Sequence, residues 1–336
     1  MKRLLLLLSL ALCAKALASD PTADATAKFL AGLPVKGTPL ESHSNNPEWA
    51  EHATDLGRAW ERLEKEQLSK IRAWAPKTLG PAYEDRGSMY YMFSGPDFLY
   101  ANIFFPNAST YILCGIEPVG PLPDIDKIPS ADLASALTGL RKSLSSVLNE
   151  SYFITKYMRT DFKQTQLTGT LPIFYVFLAR AGCTVASVTP VALDRDGKFV
   201  PAGPETTPGV KIVFSNPSKR EQTLYYFTSD LGDKAVKANP GFSNFCERQG
   251  QGLSLLKAAC NYMGTNNFTM VRGFLLTHSK ILLQDESGIP YSFVEPEKWN
   301  IRLFAKPHAQ DKPVRLDFSF GYKEQSCSSV MVATPK

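Results

Sequence analysis

The side chains best placed for chemistry lie in or beside turns: Asp97 in Ser94-Gly95-Pro96-Asp97, His278, and Asp285 with Glu286 in LLQDESGIP. Two carboxylates facing one another, with an imidazole in reach, could cleave a glycosidic bond or an ester. One carboxyl group would protonate the leaving oxygen while the other serves as base or nucleophile. The hydrolytic expectation therefore rests on Asp97, His278 and Asp285. It stands against the plainer role of an aspartate in a Gly/Pro turn, which is to cap its own backbone. The aromatic residues around the same turn, Tyr90, Tyr91, Phe98 and Tyr100, are the candidate ligand-binding surface. Their plainer role is to fill a core.

Other chemistries have less support. Ser254-Leu255-Leu256-Lys257 matches the Ser-x-x-Lys string of penicillin-binding enzymes, in which a lysine of lowered pKa activates the hydroxyl, but the companion Lys-Thr-Gly is missing. No Gly-x-Ser-x-Gly elbow occurs, and Gly252-Leu253-Ser254 lacks the closing glycine. The four histidines, His43, His52, His278 and His308, are not paired around a glutamate, and no two cysteines are spaced two apart. Neither pattern suits zinc, so no metal is expected. Asp194-Arg195-Asp196-Gly197 opens like a calcium loop but lacks the downstream glutamate, and reads as a hairpin turn. No glycine-rich phosphate cradle follows a strand-like run, and no cofactor is expected.

The elements that must position these residues follow from periodicity. Asn46 caps a helix with Pro47 in its first turn, and Trp49, Ala53, Leu56, Trp60, Leu63, Ile71 and Trp74 form an apolar stripe that faces a core. SMYYMF, DFLYANIFF and STYILCGI are rich in aromatic and β-branched residues and are divided by turn signals, which predicts an antiparallel β-meander. Helices are expected from Ser130, with Leu133, Leu137, Leu140, Leu144 and Leu148 on one face, and over LPIFYVFLARAG, apolar all round and hence buried. Two hairpins follow in TVASVTPVALD, GVKIVF and TLYYF. Helical stretches at 241–249, 253–263 and 268–276 lead to strands at KILLQD, YSFV, IRLF and VRLDFSFGY. Strands and helices come in blocks, so the expected fold class is α+β, with a β-meander and hairpins packed against amphipathic helices; two related lobes divided near residue 182 are compatible with it.

Residues 1–18, MKRLLLLLSLALCAKALA, read as a signal peptide: a basic start, a short apolar run and Ala16-Leu17-Ala18 before a cut at Ser19. Leu12 before Cys13 does not suit a lipoprotein anchor, and no later run is long enough to be a stop-transfer helix. Removing the peptide lowers Lys+Arg from 37 to 34 against 32 Asp+Glu, a net charge of +2, which argues against nucleic acid as a partner. Residues 19–46 read as a poorly ordered leader, and 47–336 as one α+β unit. Five cysteines remain after cleavage; Cys246 and Cys260 are the candidates for a local disulfide, while Cys114 reads as a buried hydrophobe.

SGPDFLYA followed by FFP, then YILCGIEPVG, TGTLPIFYVFLARAG, LYYFTSDL and ILLQDESGIPYSF, resemble a family of exported bacterial proteins with no assigned activity. The resemblance covers most of residues 88–322. It implies one integrated unit in the bacterial envelope and brings no catalytic residues to carry over. The expected protein is periplasmic or secreted. It would bind an envelope peptide, glycan or protein, with the carboxylate hydrolase as the alternative.

Overall fold

Period-two alternation sorts the strand residues onto two faces. Tyr91, Leu113, Leu255 and Leu283 enter one hydrophobic cluster, whereas Tyr90, Ile112 and Leu282 enter another. Between the clusters lies a mixed sheet in a computed structural model that describes residues 21–153, 167–305, 316–318 and 329–336. Its strands are β1 (Ser88–Tyr91), β2 (Thr110–Gly115), β3 (Thr184–Leu193), β4 (Phe199–Val200), β5 (Thr207–Ser215), β6 (Glu221–Thr228), β7 (Gly252–Leu256), β8 (Ser279–Gln284), β9 (Trp299–Ala305) and β10 (Ser329–Pro335). They lie in the order β4-β3-β5-β6-β2-β1-β7-β8-β10-β9. The central five, β6-β2-β1-β7-β8, are mutually parallel. Antiparallel strands flank them on both sides.

Helices cover both faces. Helix α1 (Pro21–Leu30), α2 (Pro47–Leu63), α3 (Ser69–Leu79), the single turn α4 (Pro81–Glu84), α5 (Phe98–Phe104), α6 (Ser130–Glu150) and α7 (Leu171–Arg180) belong to the first half. Later come α8 (Asp233–Ala238), α9 (Gly241–Gln249) and α10 (Thr269–His278). The first cluster takes its helical residues from α1, α2, α3, α5, α6 and α7, and the second from α9 and α10. The fold is α+β. No described helix is long and apolar enough to cross a membrane.

Several expectations hold at the level of single elements. Asn46 accepts the Glu48 amide at 2.9 Å and Pro47 opens α2. The Ser130 and Pro172 helices and both hairpins are present. Other expectations are corrected. The antiparallel meander is a parallel β1-α5-β2 unit, because Asp97 caps DFLYANIFF as a helix. Residues 253–263 begin with β7 instead of a helix, YSFV holds a single tight turn at Tyr291–Phe293, and β10 was not foreseen. The 21–46 part of the leader is packed: Phe29 and Leu30 of α1 are fully buried in the first cluster. No division falls near 182, since β1 and β2 sit between β6 and β7. Cys246 is a buried thiol in the second cluster and does not pair with Cys260, which is exposed. Residues 1–18, expected to be a signal peptide, and most of VRLDFSFGY lie outside the described residues.

Candidate functional site

Parallel strands bring their carboxyl ends to one edge, and the loops that leave them must diverge there, which opens a crevice where the chain switches direction. Here the crossover from β1 to β2 runs through α5 on the first face, and that from β7 to β8 through α10 on the second. A cleft of about 560 Å³ opens at this edge. Most of its lining comes from residues just past the strand ends: Phe93 to Gly95 and Asp97 after β1, Ile116 and Glu117 after β2, Ser229 to Leu231 after β6, and Lys257 to Cys260 after β7.

The floor is a buried charged network. Lys257 Nζ lies 3.1 Å from Asp97 Oδ2, donates to the Ser151 carbonyl and sits 3.9 Å from the centre of the Tyr100 ring. Asp97 also accepts from the Tyr91 hydroxyl at 2.9 Å and, as the cap of α5, from the Tyr100 amide at 3.2 Å. Burial, followed by the neighbouring Asp97 carboxylate, holds the Tyr91 hydroxyl far above its ordinary pKa, so it remains a donor. Tyr100 donates to Gln67 Oε1 at 2.6 Å. Gln67 is buried because the helix between α2 and α3 widens into a π-turn over Glu64–Leu68, and its amide donates to Ser151 Oγ at 2.8 Å. One helical irregularity thus anchors the aromatic ring on which the lysine rests.

Asp285 supports the loop after β7. Its carboxylate accepts from the Ala258 amide at 2.8 Å and from the Ser287 amide at 2.9 Å. Burial is the largest influence on its pKa and raises it above the ordinary aspartate value, with its hydrogen bonds and Lys257 acting in the opposite direction. The loop it holds is strained. Ala258 and Cys260 have φ of +54°, and Phe93 across the lining has φ of +61°. A left-handed backbone costs a non-glycine residue about 1–3 kcal/mol, and such residues gather at functional sites. Gly115 is required by close approach: a Cβ there would lie 2.8 Å from Gly95 Cα and 2.9 Å from the Tyr226 hydroxyl.

The proposed hydrolytic triplet does not assemble. Asp97 reaches the cleft but is committed to Lys257, Tyr91 and the cap, while Asp285 caps its own turn behind the Ala258 loop. His278 stands at the other end of β8, whose six residues place it roughly 20 Å from Asp285. There it stacks on Phe274 at 4.4 Å and pairs with Glu247 at 3.0 Å. Of the expected aromatic surface, only Tyr91 lines the cleft. Tyr90 donates to the Gly250 carbonyl on the opposite face, Phe98 packs on Tyr111 and Phe214, and the Tyr100 ring lies beneath the floor. Ser254, fully buried on β7, bonds to Ser279 Oγ at 2.7 Å, and Lys257 turns to Asp97, so the Ser-x-x-Lys string is not a catalytic pair. Among the described residues no group of His, Cys, Asp and Glu is placed to hold a metal ion.

Sequence reasoning missed Phe93, Glu117, Asp230, Tyr262 and Phe268, all of which line the cleft. The signal available was positional: Phe93, Glu117 and Asp230 each follow closely on a run of strand character. Comparison of the chain with protein-family models, with curated proteins and with solved structures finds no match in any of the three.

Proposed function

We propose that this is an exported bacterial envelope protein that works by binding, and that it takes a small organic group, free or carried on a peptide, glycan or protein, into the cleft at the carboxyl edge of the sheet. One observation carries the reading. The ionic groups of the floor are already satisfied by one another, with Asp97 held by Lys257, Tyr91 and the α5 cap. A general acid or base must instead be free to exchange a proton with the substrate. The cleft has the volume of a typical small-ligand site, within the usual 300–1,000 Å³ or so. Export is supported by the character of residues 1–18, and the envelope setting by the resemblance of residues 88–322.

The test is thermal denaturation of the mature protein in the presence of envelope-derived peptides and glycan fragments, with Tyr262→Ala as the control. Tyr262 is exposed at the cleft, so its truncation should leave Tm within a degree or two and abolish the ligand-induced rise. Turnover of a glycan or ester fragment by the purified protein would sink the reading.

A further inference from the structure

Three aromatic rings stand together on the lining of the cleft. Tyr262 stacks on Phe268 with centroids 4.9 Å apart, and Phe93 meets Phe268 at 5.6 Å and Tyr262 at 6.1 Å. A bulky residue is unusual in the left-handed backbone that Phe93 adopts. Tyr262 is among the exposed large hydrophobic residues, so the stacked pair is not sealed into the core.

A carboxylate, Asp230, lines the same cleft. Asp230 is exposed and accepts the Gly232 amide at 2.8 Å in a tight turn. That turn abuts the segment leading into Phe268: a Cβ on Gly232 would lie 3.2 Å from Asp230 Oδ1 and 3.9 Å from the Asn267 carbonyl. Among the described lining residues the charged side chains are Asp97, Glu117, Asp230 and Lys257. Lys257 is the single cation of that set; its side chain is fully buried and it points to Asp97, to the Ser151 carbonyl and to the Tyr100 ring. Arg272, on the nearby helix α10, lies over Phe293 and donates to the Met263 and Thr265 carbonyls, and it does not line the cleft.

Aromatic faces carry negative potential and attract cations, and a neighbouring carboxylate reinforces the attraction. We propose that the cleft selects an organic cation, an ammonium or guanidinium group held against Phe93, Tyr262 and Phe268 with Asp230 as its counter-charge. This deepens, and rests on, the reading of the cleft as the binding site.

Calorimetric titration of the mature protein with three probes of matched shape tests it: phenethylammonium, phenethyl alcohol and phenylacetate. Phenethylammonium should bind about tenfold tighter than either of the others. Asp230→Asn keeps the turn, because the amide oxygen still accepts from Gly232, and should weaken phenethylammonium about three- to tenfold while leaving phenethyl alcohol unchanged. Tyr262→Leu should weaken the cation more than the alcohol. Equal or tighter binding of the alcohol or of phenylacetate would overturn the cation assignment and leave the cleft reading standing. Absence of binding by all three would overturn both. Putrescine against an acetylated, amidated lysine tripeptide separates a free amine from a basic peptide: binding of either supports the cation, and the tighter one identifies its source.

Discussion

At the scale of single residues, the Lys257–Asp97 pair is the most consequential contact in the cleft floor. Both side chains are withdrawn from water, at 0% and 2% exposure, so each compensates a charge that would otherwise be stranded. Lys257→Met should therefore destabilise the protein by about 3–5 kcal/mol, because it leaves Asp97 buried with only hydroxyl and amide donors. Asp97→Asn on top of it removes the stranded charge, keeps an acceptor for the Tyr100 amide, and should recover much of the loss. Urea denaturation of the single and double variants measures the coupling, and additive losses would show that the pair does not act as a unit. This role of Asp97 was half legible in the sequence. SGPD marked a turn aspartate that caps backbone, and it does cap α5. Its ion pair with a residue 160 positions away could not be read from local pattern.

Elements were legible where periodicity or caps were unambiguous, and they failed where burial erased the period. Asn46-Pro47 and the leucines from Leu133 to Leu148 announced their helices. DFLYANIFF did not, because α5 is apolar nearly all round: Phe98, Leu99, Tyr100, Ala101, Ile103 and Phe104 are all buried, and a short run of that kind suits strand and helix alike. The same ambiguity made Leu253–Leu256, the body of β7, the start of an expected helix over 253–263. Helix α1 escaped notice because its small residues suggest disorder, yet Ala23, Ala25 and Ala27 are the ones that allow close packing. The α1–α2 contact has a pH signature. His52 Nε2–H donates to the Leu30 carbonyl at 2.8 Å, and burial lowers its pKa from 6.5 to about 4. The unfolded chain thus takes up the proton first as pH falls. The contribution is full above pH 6.5 and is lost by about pH 4, a change of roughly 3 kcal/mol at 1.36 kcal/mol per unit. His52→Gln, which can still donate to Leu30, should flatten that part of the curve relative to wild type; parallel curves would refute the assignment.

For the whole molecule, the interleaved strand order makes a cooperative unit out of what the sequence allowed to be two lobes. The segment up to residue 182 holds β1 and β2, but their outer neighbours β7 and β6 come from the other half. Thermal unfolding of residues 19–336 should be a single transition, and residues 19–182 expressed alone should show none. A cooperative transition in that fragment would reinstate the lobes. The edge of the sheet on which the cleft opens depends on this order. Nothing in the local sequence reports which strand ends will be neighbours.

The position of β1 has a consequence for the life of the chain before it is finished. On a ribosome, Met89–Tyr91 emerges with β2 close behind but waits some 160 residues for β7 to close its other side. Throughout that interval an apolar strand has an open flank, ready to mispair with other chains, and the lysine that neutralises Asp97 has yet to be made. Assembly is thereby deferred to near completion of synthesis, and a stalled or truncated product has no partial fold in which to shelter. Until its last third arrives, such a chain leaves the flank of β1 open to whatever else is near.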